Sequence, residues 1–176
     1  MALNVPAKGW YATKVAKDEK SWIVISVIAA LALFIWMSAW HLFGKQNPPV
    51  SVYTTTPDEF YRLAQANWQK YKVGEEEGIP VVAPPPGGDV FLLASTWRWE
   101  PVIKLKKDQE YKIHISSLDI VHGFSLQPVN MNFQIYPHYD YVFTFKPTSS
   151  GDFRIICNEY CGYGHHSMIG KIIVEE

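Results

Sequence analysis

Cysteine is scarce in this sequence. There are two, Cys157 and Cys161, in 176 residues, so one disulfide is the most the chain can form and a densely bridged scaffold is excluded. Charge of one sign is lacking as well. Sixteen Lys and Arg stand against seventeen Asp and Glu, a formal net charge of −1. That balance excludes a nucleic-acid binder relying on a strong basic field. No internal repeat is visible. No Asp, Glu, Lys or Arg occurs from Trp22 to Phe43, and a run of roughly 20 apolar residues is what a helix needs to cross a bilayer. Trp22, Trp36, Trp40 and Phe43 fit interfacial anchors near its ends. The run is long, starts late and continues into Gly44-Lys45 without a small-x-small cleavage site, unlike a cleaved signal peptide. The rest of the chain, about 130 residues, suffices for one domain with its own core. Aromatics at 15% mark it as folding sequence.

The flanks of the apolar run orient it. Lys8, Lys14, Lys17 and Lys20 precede it, and only Lys45 follows before Arg62. An excess of cations on one side predicts a cytoplasmic N-terminus, with residues 46–176 outside a prokaryotic plasma membrane. That outer part holds 11 Lys and Arg against 15 Asp and Glu, a balance of −4, which suits a cationic partner protein. Four stretches are expected: a cytoplasmic tail over 1–20, a membrane helix over 21–44, a connector over 45–88 and a β domain over 89–176.

Within the connector, Thr56-Pro57-Asp58-Glu59 reads as a helix start, with Thr as N-cap, Pro first and Glu third. Phe60, Leu63, Ala64, Trp68 and Tyr71 then recur at helical spacing, an amphipathic helix for the domain or the membrane surface. Glu75-Glu76-Glu77 reads as a solvated loop and 80–88 as a Pro/Gly-rich linker. Beyond it, short β-branched and aromatic runs alternate with turns. Strands are expected over 90–95, 102–105, 110–115, 123–127, 131–136, 141–146, 151–157 and 170–174. That pattern predicts an all-β sandwich or Greek-key barrel, preceded by one transmembrane helix.

The chemistry gathers in Cys157-Asn158-Glu159-Tyr160-Cys161-Gly162-Tyr163-Gly164-His165-His166-Ser167-Met168. A disulfide between the two cysteines is the plain alternative outside the cytoplasm. The neighbours point elsewhere: two thiols, an imidazole and a thioether within twelve residues form a soft donor set that suits copper. Structural zinc takes four Cys or His ligands and no thioether. Gly162 and Gly164 let the segment bend tightly. A further ligand is expected from another strand. His122, in Asp119-Ile120-Val121-His122-Gly123-Phe124, is the candidate, although a His before Gly is ordinarily a turn residue. Asp119 reads either as a turn residue or as a partner orienting the imidazole. His41, His114 and His138 read as non-ligands: an interfacial ring, a residue pointing away from the Ile113 and Ile115 face, and a turn.

The Cys-x3-Cys-x3-His-x2-Met run with its upstream His resembles subunit II of the heme-copper cytochrome c oxidases, most closely the B-family form with one membrane helix. The resemblance covers the anchor and roughly residues 90–176. It implies a cupredoxin fold and a dinuclear CuA centre of two copper ions. Cys157 and Cys161 would bridge the coppers, His122 and His165 would bind one each, and Met168 and the backbone carbonyl of Glu159 would be weak ligands. His166 is set aside by the family spacing. The resemblance further implies that the Glu159 carboxylate is a candidate for a magnesium ion at a subunit boundary. Trp97 and Trp99 match the aromatic segment that accepts electrons from cytochrome c, although strand alternation puts both on one, inward face. Subunit I would carry the hemes and the reduction of oxygen to water coupled to proton translocation, so this chain would transfer electrons only and hold no catalytic residue. The ligand motif equally allows the CuA subunit of a nitric oxide reductase complex. A membrane-anchored copper-binding or copper-delivery protein is the alternative outside the redox class.

Overall fold

The computed structural model describes residues 5–12, 14–44, 50–129 and 131–176. Lys45, counted above in the helix flank, lies outside them. The chain divides into two compact units, Met1–Gln46 and Asn47–Glu176.

The first unit is built on α1 (Lys17–Phe43), 27 residues long. At about 1.5 Å per residue it spans about 40 Å. It begins before the expected residue 21 because Lys17-Asp18-Glu19-Lys20 forms its first turn, where Asp18 and Glu19 suit the positive end of the helix dipole. None of its residues is buried. A long apolar helix without a protein core around it fits a single-pass membrane segment.

The second unit runs β1 (Ser51–Thr54), α2 (Pro57–Tyr71), β2 (Lys72–Glu76), β3 (Ile79–Val82), β4 (Asp89–Ser95), β5 (Arg98–Glu100), β6 (Val102–Lys106), β7 (Tyr111–Ser117), β8 (His122–Gln127), β9 (Met131–Ile135), β10 (Tyr139–Phe145), β11 (Gly151–Cys157) and β12 (Ile169–Glu175). One sheet has the order β1-β10-β7-β4-β5, the other β2-β3-β6-β12-β11-β8-β9. β4 runs parallel to β7, and β6 parallel to both β3 and β12, so the chain crosses repeatedly between sheets in the manner of a Greek-key sandwich. Alternation drives the burial. On β7, Tyr111, Ile113 and Ile115 are buried while Lys112 is exposed. Leu92, Ile113, Ile115 and Phe143 of the first sheet join Ile103, Phe124, Leu126 and Ile155 of the second in one core. Phe124 stands among Trp99, Phe133 and Phe143, with ring centroids 6.0, 5.2 and 6.2 Å away.

Residues 45–88, expected as a connector ahead of the β domain, contribute four elements to that domain instead. β1 pairs with β10, and β3 joins β2 to β6. Pro80 falls ahead of Val81 and Val82, the β3 residues that pair with β6, so the proline that suggested a linker is accommodated at a strand's start. α2 begins as its sequence predicts, with the Thr56 hydroxyl accepting from the Glu59 N–H at 3.2 Å. It buries Phe60, Ala64 and Trp68. β5 pairs only with Leu93–Ser95, which leaves the earlier part of that β4 edge open. Asn67 Nδ2 and Trp68 Nε1 donate there to the carbonyls of Asp89 and Phe91, at 2.9 and 2.8 Å. The helix therefore caps a sheet edge that has no strand beside it. Thr56→Ala is expected to lower the stability of the β domain by about 1 kcal/mol, read as a shift of its denaturation midpoint. An unmoved midpoint would show that the cap carries no stability.

Candidate metal centre

Three strand ends meet at one end of the second sheet. His122 opens β8, Cys157 closes β11, and Met168 directly precedes β12. Cys157 and Phe124 are register partners on β11 and β8, so the strand ladder that builds the core also sets the first cysteine beside the first histidine. Residues 158–168 form the return loop. Its foot is closed by Cys157 N–H to the Met168 carbonyl, 3.2 Å, and its tip by His165 N–H to the Gly162 carbonyl, 3.1 Å. Gly162 has φ +108°, a conformation glycine adopts without a steric penalty. A Cβ on Gly164 would lie 2.3 Å from the Trp97 ring, so the loop lies directly against that indole. Trp97 Nε1 donates to the Cys161 carbonyl at 3.0 Å.

The donor atoms converge. The two sulfurs are 3.7 Å apart, too far for the ~2.05 Å bond of a disulfide. The gap is right for two thiolates sharing ions at a typical metal–thiolate distance of about 2.3 Å. His122 Nδ1 lies 3.8 Å from Cys157 Sγ, and the Glu159 carbonyl 3.3 Å from the same sulfur. His165 Nδ1 lies 3.5 Å, and Met168 Sδ 3.8 Å, from Cys161 Sγ. Four further donors thus gather around the sulfur pair: His122 and the Glu159 carbonyl beside Cys157, His165 and Met168 beside Cys161. Six donors exceed what one tetrahedral ion takes, and the thioether and thiols favour a soft metal. His122, Cys157, Cys161 and Met168 are all buried. His166, next in sequence to His165, is exposed.

Asp119 orients His122. Its Oδ1 is 2.8 Å from Nε2 of the ring, which leaves Nδ1 facing the sulfur. Burial disfavours the ionised carboxyl. Hydrogen bonds from the Thr96 hydroxyl, from His122 and from the Ile120 and Thr96 N–H groups outweigh it, and Asp119 is lowered to about 2. Asp119 therefore stays ionised at neutral pH and holds one tautomer of the imidazole. Cys161 is shifted the other way. Burial, and then the Cys157 thiol beside it, push it up to about 12, so without a cation Cys161 holds its proton, and metal binding must displace it.

Alternation misplaces the two tryptophans relative to one another. Trp99 is buried at 1% exposure, 6.5 Å from the His122 ring. Trp97 is 41% exposed, because it lies in the turn between β4 and β5 rather than on a strand. The Glu159 carboxylate is engaged from β9: Gln134 Nε2 donates to its Oε2 at 2.6 Å. Its other oxygen has no bonded partner among the described residues. The sequence signalled neither Gln134 nor Asn132, which also reaches the loop. Gly123, directly after the candidate ligand His122, was the available hint. A Cβ there would lie 2.0 Å from Asn158 Oδ1 and 2.7 Å from the Glu159 nitrogen.

No family model matches the chain. Over 88 residues it is 35% identical to cytochrome c oxidase subunit 2 of Thermus thermophilus, covering 49% of this chain and 65% of that relative. The chain is homologous to cytochrome c oxidase subunit 2. The match spans just under two thirds of the relative's length. A chain of a heme-copper terminal oxidase dimer covers 90% of this homologue at a TM-score of 0.59 and 23% identity, and is itself covered completely. A rusticyanin variant covers 74% at 0.52 and 15% identity, again over its whole length. Both are likenesses of fold, and they make the β unit of this subunit 2 homologue cupredoxin-like.

The raised Cys161 thiol generates a prediction for the metal-free protein. Its ordinary value is 9.0. Between there and about 12 the unfolded chain releases this proton while the folded one keeps it, so stability falls with rising pH. Cys161→Ala should lose that part of the slope in chemical denaturation from pH 9 upward. Equal slopes in both proteins would contradict the shift.

Proposed function

We propose that this chain is the electron-entry subunit of a terminal respiratory heme-copper oxidase, held in a prokaryotic plasma membrane by α1. The β domain lies on the outer side, on the strength of the lysines ahead of the helix. It accepts electrons from cytochrome c at a dinuclear copper centre and passes them to hemes in subunit I, where oxygen is reduced to water with proton translocation. The observation that carries this reading is the group of four further donors gathered around two sulfurs 3.7 Å apart.

His122 and His165 would hold one copper ion each, Met168 and the Glu159 carbonyl would be weak ligands to one ion apiece, and Cys157 and Cys161 would serve both. Two coppers sharing the two thiolates would supply one-electron transfer, with the electron spread over both ions. The chain's own residues keep that exchange easy. Asp119, fixed by Thr96 and the Ile120 N–H, locks the His122 ring. Phe124 and Trp99 are packed in the core behind His122 and exclude water. A rigid, dry donor set has the same geometry before and after transfer. Trp97 is the entry point: part of its ring is exposed, and its indole N–H is one hydrogen bond from the Cys161 backbone. Trp99 lacks that exposure. A magnesium ion at the subunit boundary would use the Glu159 oxygen that Gln134 leaves free, with the remaining ligands supplied by the partner.

Loaded with copper, the chain should show purple absorption that Cys157→Ser and His165→Ala abolish and His166→Ala retains. Colour surviving in His165→Ala would mean that the wrong histidine has been assigned. Purification through this chain should bring with it a heme-bearing subunit that turns over oxygen. A complex that turns over nitric oxide alone, or a chain that comes out without a partner, would overturn the oxidase assignment.

A further inference from the structure

The edge strand β9 sends two side chains to the ligand loop, and packing does not account for them. Met131 and Ile135 are buried, whereas Asn132 and Gln134 are exposed on the opposite face. Both nevertheless have fixed partners. Asn132 Oδ1 accepts from Asn158 Nδ2 at 2.9 Å, and Gln134 Nε2 donates to Glu159 Oε2 at 2.6 Å. The Gln134 amide is itself oriented, because the Tyr136 hydroxyl donates to its Oε1 at 2.9 Å. The register explains the reach. On β8, Gly123 stands opposite Gln134 and Ser125 opposite Asn132. Asn158 and Glu159 cross β8 at Gly123, the position with no Cβ to obstruct them. There Asn158 N–H also donates to the Gly123 carbonyl at 3.3 Å.

We propose that Asn132 and Gln134 are positioning residues for the metal centre: they clamp Asn158 and Glu159 from the neighbouring strand and so fix the Glu159 carbonyl beside Cys157. This rests on the two-copper reading above. A backbone carbonyl is a weak donor, so its distance from a metal is set by what holds the peptide rather than by the strength of the bond. The foot of the loop is tied by Cys157 to Met168, and its far side by Trp97 to Cys161. Between them the 158–159 stretch is held by the Asn158 N–H bond to Gly123 and by the clamp. Loosening the clamp moves one donor, the Glu159 carbonyl, and leaves the four side-chain ligands His122, Cys157, Cys161 and His165 and the Met168 thioether as they are. The centre then becomes less symmetric, and the unpaired electron is shared differently between its two ends.

The test uses the full chain in detergent, loaded with copper, with copper counted per chain and the shifted β-proton resonances of Cys157 and Cys161 read by paramagnetic NMR. Gln134→Leu should keep two coppers per chain and shift the cysteine resonances relative to the parent. Gln134→Asn, whose amide is one methylene too short to reach Glu159, should shift them in the same direction. A merely structural role would lower the melting temperature and leave these resonances in place, and unmoved resonances in both variants overturn the clamp. A parent chain that takes up a single copper overturns the two-copper reading, and the clamp with it.

Discussion

The pairing of β8 with β11 is the constraint on which the site depends. The same ladder that places Phe124 in the core places Cys157 at the end of β11, next to the strand that His122 opens. His122 and Cys157 are 35 residues apart in sequence, and no local turn brings them together. The loop from Cys157 to Met168 supplies the remaining donors, but it acquires its position only because Cys157 ends β11 and Met168 directly precedes β12, its neighbour in the same sheet. β11 and β12 hold it in register from Gly151 opposite Val174 to Ile156 opposite Ile169. Loss of core packing around Phe124 would therefore disturb the centre without touching a ligand.

Around that frame, the polar groups each have a defined task. Asp119 is ionised because Thr96, Ile120 and His122 together outweigh its burial, and it presents one face of the imidazole to the sulfur. Cys161 carries the opposite bias. Burial keeps its thiol from ionising until a cation compensates it. An anchored carboxylate behind the histidine and a proton-holding Cys161 in front make a site that is poised for a metal. The two sulfurs stand 3.7 Å apart, unbonded to one another.

Much of this was legible in the sequence, for physical reasons that differ from element to element. α1 was visible because a charge-free run of that length has few other uses. α2 was visible because Thr56, Pro57 and Glu59 are a complete helix start. The other eight strands were visible because each carries β-branched, aliphatic or aromatic residues that enter the core. β1, β2, β3 and β5 were not, since β1 and β2 expose every residue and β3 and β5 are only four and three residues long. Their apolar pattern is too short to read, and Pro80 argued against a strand. For this reason 45–88 looked like a connector. At the site, spacing within the 157–168 run identified the donors that share a loop. Thr96, Asn132 and Gln134 escaped because each acts across a strand pairing or a turn contact that sequence spacing does not encode. Trp97 and Trp99 were read by alternation, which fails where the chain turns between β4 and β5.

The central proposal is that the donors gathered around one shared pair of sulfurs hold two coppers, which would have a single electron in common. Electron paramagnetic resonance of the copper-loaded full chain tests it most directly. An electron delocalised over two equivalent copper nuclei gives a seven-line hyperfine pattern, and that is the result expected here. A four-line pattern, the signature of an electron on one copper, would contradict the account.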